Sequence, residues 1–191
     1  TGILRQTGGA VSAASLTVGS SEYSYSTRST STGVVVADDF DLALSGALTI
    51  GHQYTTGLFT NRNGGAINCG AVAIGRKSAT GVLTLLSGSL TSSETITLGD
   101  WAYSDGLIVA ADGTEVSAKN GITAGKQTSD AGALDLGAMT LRTTAWGKAL
   151  TIGSIDSKYY TTATGVLVMR GTTIAQGQAG KIVVNPRSAI T

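Results

Sequence analysis

His52 is the only histidine in the chain and Cys69 the only cysteine. A Ser-His-Asp triad would have to be built on that one imidazole. Serine and aspartate are abundant, so residue type alone marks no partner for it, and no Gly-x-Ser-x-Gly elbow occurs. His52 directly follows Gly51 and reads as a turn histidine, not as a general base. One His and one Cys cannot supply the three or four nitrogen and sulfur ligands of a zinc site within one chain. No residue is therefore assigned a catalytic role, and no enzymatic activity is expected.

The acidic residues leave one candidate. Asp38, Asp39 and Asp41 place three carboxylates within four positions. Such a cluster suits Ca²⁺, a hard cation that takes six to eight oxygens. Asp38, Asp39 and Asp41 are thus candidate ligands for a structural Ca²⁺, the one cofactor the sequence suggests. Asp100, Asp105, Asp112 and Glu115 form a looser second group. Neither segment has the twelve-residue loop with glycine at its sixth place, and the plainer reading of the first is a solvated acidic turn after a buried strand. Nothing singles out a carboxylate pair for glycoside hydrolysis. Arg76-Lys77 is the one adjacent basic pair, too little for a nucleic-acid groove. Tyr23, Tyr54, Trp101 and Tyr159 recur at similar places along the chain and suggest a sugar-stacking row; the competing reading is that they plug the core or a subunit interface.

The composition points the same way. Of 191 residues, 13 are Lys or Arg and 12 are Asp or Glu, a formal net charge of +1 with 13% charged residues. Ser and Thr number 48 and Gly 27, while 41% of the chain is hydrophobic. The apolar content argues against disorder, and the lack of a basic excess argues against nucleic-acid binding. A neutral, hydroxyl-rich surface lacks the repulsion that keeps monomers apart. It suits a protein that packs against copies of itself. No apolar run approaches the roughly 18 residues of a membrane span. Thr1 in place of Met is expected to mark a processed terminus.

The elements that must carry these residues are short and β-branched, with no sustained helical period. Strands are expected near 11–19, 33–37, 42–50, 66–74, 81–86, 94–98, 106–111, 133–141, 148–153, 165–169 and 181–185. Asn63-Gly64-Gly65, Ser87-Gly88, Asp112-Gly113 and Asn120-Gly121 supply turns between them. A degenerate repeat runs through the chain: Leu16-Thr17-Val18-Gly19, Leu48-Thr49-Ile50-Gly51, Ile96-Thr97-Leu98-Gly99 and Leu150-Thr151-Ile152-Gly153. Each is followed by a Gly-led apolar run, such as Gly33-Val34-Val35-Val36 or Gly106-Leu107-Ile108-Val109, and the pair reads as a reused hairpin whose second strand is fully buried. Copy spacings of 32, 48 and 54 residues depart from the fixed period of a solenoid.

The expected fold is therefore all-β, an antiparallel sandwich or jelly roll of about ten to eleven short strands, with a β-helix as the alternative. Residues 1–14 are expected to form an N-terminal arm able to add a strand to a neighbouring subunit, ahead of a single β domain over 15–191. Ile3, Leu4, Val11 and Ala13 in that arm are the candidate subunit-interface residues. The expected function is that of a structural subunit in an extracellular filament, a pilus-like surface appendage or a virion, associating with copies of itself through β-edges. The alternative is an adhesin or carbohydrate-binding module that meets a glycan or host surface.

Overall fold

The computed structural model describes residues 1–21, 31–101, 103–126, 131–153, 155–156, 161–162, 164–185 and 188–191. Along these the chain winds through successive coils of three strands. The first coil holds β1 (Gly2–Thr7), β2 (Ala10–Ala13) and β3 (Leu16–Ser20). The second holds β4 (Thr32–Asp38), β5 (Asp41–Leu44) and β6 (Leu48–His52). The third holds β7 (Thr56–Arg62), β8 (Ala66–Cys69) and β9 (Val72–Arg76). The fourth holds β10 (Thr80–Leu85), β11 (Ser89–Ser92) and β12 (Ile96–Asp100). The fifth holds β13 (Asp105–Ala110), β14 (Glu115–Ala118) and β15 (Ile122–Lys126). The sixth holds β16 (Ala131–Leu136), β17 (Thr140–Thr143) and β18 (Ala149–Ile152). After a short antiparallel pair, β19 (Ile155–Asp156) and β20 (Thr161–Thr162), the seventh holds β21 (Gly165–Met169), β22 (Thr173–Gln176) and β23 (Lys181–Val184), and β24 (Ala189–Ile190) opens another.

Strands of the same place in each coil pair in parallel. They give sheet A (β1-β4-β7-β10-β13-β16-β21-β24), sheet B (β2-β5-β8-β11-β14-β17-β22) and sheet C (β3-β6-β9-β12-β15-β18-β23). This is a parallel β-helix. The expected antiparallel sandwich is wrong, and the repeat is not a hairpin. Its Leu-Thr-Ile-Gly element lies on sheet C, and the Gly-led run that follows lies on sheet A of the next coil. The Asn-Gly and Asp-Gly signals turn the chain from one sheet to another instead of folding it back. Several expected strands were two strands run together. The span 42–50 covers β5 and β6, and 66–74 covers β8 and β9. The corners between them are only two or three residues long and carry no strong turn signal beyond a glycine.

Side chains alternate in and out along each strand, and the inward ones stack into columns. Sheet A stacks Val35, Phe59, Leu83, Ile108, Leu134 and Leu167. Sheet B stacks Leu42, Ile67, Leu90, Val116 and Leu141. Sheet C stacks Leu48, Val72, Ile96, Ile122 and Leu150. These residues form one continuous buried core along the axis. Polar side chains also stand at inward positions, among them Asn61, Ser92 and Thr143. Asn61 is the largest. It is fully buried on β7, and its Nδ2 donates to Gly65 O at 2.7 Å and Ser87 O at 3.3 Å, tying two successive corners together.

Two glycine columns set the sharp corner from sheet C to sheet A. Gly51, Gly75, Gly99 and Gly125 hold φ between 63° and 77°, a left-handed conformation in which a Cβ is strained. Gly57, Gly81, Gly106 and Gly132 face them from the start of the next strand. A Cβ on any of these four would lie 2.0–2.4 Å from the backbone nitrogen of its facing glycine.

Candidate functional site

The two ends of the stack are the first candidate. Leu4 pairs with Val35 and Val11 with Leu42, so both extend inward-facing columns of the core. Leu4 is 52% and Val11 40% exposed. A cavity of about 130 Å³ opens behind them against Val35, Phe40, Leu42 and Phe59. The far end has the same character. Ile182, Val184 and Ile190 extend the columns of Leu150, Ile152 and Leu167, and all three are exposed. Of the sequence-derived interface candidates, Leu4, Val11 and Ala13 lie on inward columns at this open end, all exposed. Ile3 points the other way, onto the outer face of sheet A. Residues 1–14 pair in parallel, through β1 and β2, with β4 and β5 of the same chain. The far-end residues escaped the sequence reading because their role shows only once the columns are aligned.

The second candidate is the corner that leads from sheet C to sheet A. The residue after each left-handed glycine forms an outward ladder: His52 pairs with Arg76, Arg76 with Asp100, and Asp100 with Lys126. Asp100 is largely buried and sits between the two cations, at 3.6 Å from Arg76 Nε and 3.4 Å from Lys126 Nζ. One position on, Gln53 N donates to Arg76 O and Lys77 N to Asp100 O, which stacks Gln53, Lys77 and Trp101. Hydroxyls fix these corners. Thr55 Oγ1 accepts from His52 N at 3.1 Å and donates to His52 O at 2.8 Å. Ser104 Oγ accepts from Ser78 N at 2.9 Å. Trp101 and Tyr103, both at positive φ, project to solvent at 51% and 74% exposure. Tyr54 is partly exposed two coils away, while Tyr23 and Tyr159 lie outside the described residues.

His52 has Lys77 and Arg76 for neighbours. Partial burial first, and then those two cations, hold its imidazole below the ordinary histidine range. Among the described residues no carboxylate is hydrogen-bonded to its ring, so the geometry assembles no triad there.

The acidic cluster serves the next coil. Asp38 Oδ2 lies 2.7 Å from Arg62 Nη2, and Asp38 Oδ1 accepts from Asn63 Nδ2 at 2.6 Å. The Asn63 bond, against an opposing desolvation and with help from Arg62, holds the Asp38 carboxyl below its usual value. Asp41 Oδ1 accepts from Ala66 N at 2.8 Å, and Asp39 is an exposed corner residue at φ 53°. Asp38 and Asp41 thus turn an oxygen toward the third coil, not toward a common centre. Among the described residues no group of three or more His, Cys, Asp or Glu could hold a metal ion. Cys69 is buried on the inner side of sheet B, and burial pushes its thiol up to about 12.

Among the described residues no helix is long and apolar enough to cross a membrane. Compared with known proteins, the chain matches no protein-family model, no curated protein and no solved structure.

Proposed function

We propose that this chain is a structural subunit of an extracellular filament, surface appendage or virion assembly, and that it associates with copies of itself end to end. The observation that carries the reading is the exposed core at both ends of the described stack. Each end presents a parallel strand edge from all three sheets together with exposed core side chains, a surface suited to a further rung from a second copy. Unprotected edges of this kind pair readily. A head-to-tail contact that does not close on itself extends into a fibre. The near-neutral surface adds little repulsion against that growth.

Imaging of the native chain by negative stain tests the reading. Rods lengthening with concentration are expected. A Val11→Lys chain, with an ammonium on the terminal core column, should give only short particles. Rods of equal length from both chains would overturn the proposal.

A second reading draws on the corner. Trp101 and Tyr103 offer exposed rings beside Arg76 and Lys77, the combination that binds an acidic sugar by stacking and ion pairing. On this reading the rod carries a glycan contact on its side. Loss of binding to a sulfated polysaccharide in Trp101→Ala, with assembly unchanged, would support it; no binding by the native chain would remove it.

A further inference from the structure

The three outer faces of the β-helix differ. Sheet C presents Thr17, Thr49, Ala73, Thr97, Thr123, Thr151 and Val183 outward in one column, hydroxylic for the most part, with Thr49 and Thr97 nearly buried. Sheet B presents Ser12, Asn68, Thr91, Ser117 and Arg142 among small residues. A sheet with one face in water alternates apolar-in and polar-out, and these two do so. Sheet A does not. Its outward column runs from Ile3 through Val34, Leu58, Val82 and Leu107 to Val166, each partly or largely exposed. The next outward column adds Val36, Val109 and Val168. Strands such as Gly106-Leu107-Ile108-Val109-Ala110 are continuous apolar runs, the pattern of a parallel strand covered on both faces.

We propose that a second copy of this chain covers the outer face of sheet A in a two-fold, face-to-face dimer. The six strands from β1 to β16 span about 24 Å along the axis, and a six-residue strand spans about 20 Å, so a contact centred on them covers roughly 480 Å² per partner, the size of a small, reversible interface. Register fits a second copy. A two-fold axis between β7 and β10 sets β1 opposite β16, β4 opposite β13 and β7 opposite β10 of the second copy. In the second outward column this brings Val36 against Val109, Thr60 against Thr84 and Arg5 against Asp135. Arg5 makes no ion pair among the described residues. Asp135 already pairs with Arg170 at the same border. The two charged members of this column thus meet as opposites, with Val36, Thr60, Thr84 and Val109 between them, while the Asp38–Arg62 ion pair lies at the edge of the face. Such a contact is isologous and closes at two copies. It deepens the assembly reading, yet the two are separable, because it uses a different surface from the ends.

Sedimentation equilibrium of a chain with both ends blocked, Val11→Lys with Ile182→Lys, decides the point. At roughly 100 μM the dimer should dominate, with twice the 19.1 kDa chain mass. Val82→Lys in that background buries a charge near the axis and should weaken the dimer at least about 100-fold. Arg5→Asp and Asp135→Arg should each weaken it alone, and an equal mixture of the two should recover it, since both cross-pairs are then opposite in sign. The charge exchange is read even where Val82→Lys fails to fold. A monomer from the end-blocked chain, or a dimer indifferent to the face substitutions, would overturn the proposal while leaving end-to-end growth to its own test.

Discussion

Gly57 meets Gly51 so closely that a Cβ on Gly57 would lie 2.2 Å from the Gly51 backbone nitrogen and 2.3 Å from Val18 O. The contact recurs from coil to coil along the sheet C to sheet A corner, and it explains why the repeat both ends and begins on glycine. Gly57→Ala should therefore cost about 3–5 kcal/mol or prevent folding, since backbone and not a flexible side chain stands in the way. Gly2→Ala, with nothing within 4 Å of the added methyl, should change stability by less than about 0.5 kcal/mol. Urea denaturation of the two variants checks this. Equal midpoints would refute the ladder.

Asp100 holds Arg76 and Lys126 on either side. Removing its charge leaves these two cations, with Lys77, at one corner. Asp100→Ala should cost about 1–2 kcal/mol, discounted because both cations are partly exposed to solvent. The deficit should shrink in high salt as their repulsion is screened. Thermal unfolding at low and high ionic strength measures it.

The folded state holds the His52 imidazole below its ordinary pKa of about 6.5, so the unfolded chain binds that proton more tightly. Its contribution is fully present above the unfolded value and is lost as pH falls from there toward the folded one. The melting temperature should drop below about pH 6.5 by a component that His52→Gln lacks. Parallel profiles for the two chains would contradict the assignment.

Cys69 is buried, with its thiol pushed up to about 12. Little thiolate exists at neutral pH, and burial restricts a reagent's approach to it. Iodoacetamide should leave the native chain unmodified and label it at the rate of unfolding once denaturant is added. Rapid labelling without denaturant would place Cys69 at the surface.

Much of the coil was written in the chain, but its geometry was not read from it. The Leu-Thr-Ile-Gly element and the Gly-led run after it are the sheet C and sheet A strands. Two copies went unseen. Val72-Ala73-Ile74-Gly75 carries Ala in place of Thr, and Ile122-Thr123-Ala124-Gly125 carries Ala in place of the second large apolar residue. Without them the spacing of 48 residues hid two steps of 24, the separation by which Leu48 pairs with Val72 and Val72 with Ile96. The step of 32 comes from the long connection between Ser20 and Thr32, and the step of 54 is two coils of 26 and 28 residues lengthened at several corners, most between Thr143 and Ala149. A solenoid accommodates these because they leave the strand register intact. The charged ladder was equally concealed. His52, Arg76, Asp100 and Lys126 each follow the repeat glycine, yet they lie 24 to 26 residues apart and become neighbours only when the coils stack. The acidic cluster was found, but its direction depends on Arg62 and Asn63 in the next coil, which no local pattern reveals.

Sedimentation velocity across a concentration series tests the assembly most directly. Mass should rise in steps above 19.1 kDa as the chain is concentrated, and Val11→Lys with Ile182→Lys should halt the series at no more than two chains. A single 19.1 kDa species at every concentration would contradict it.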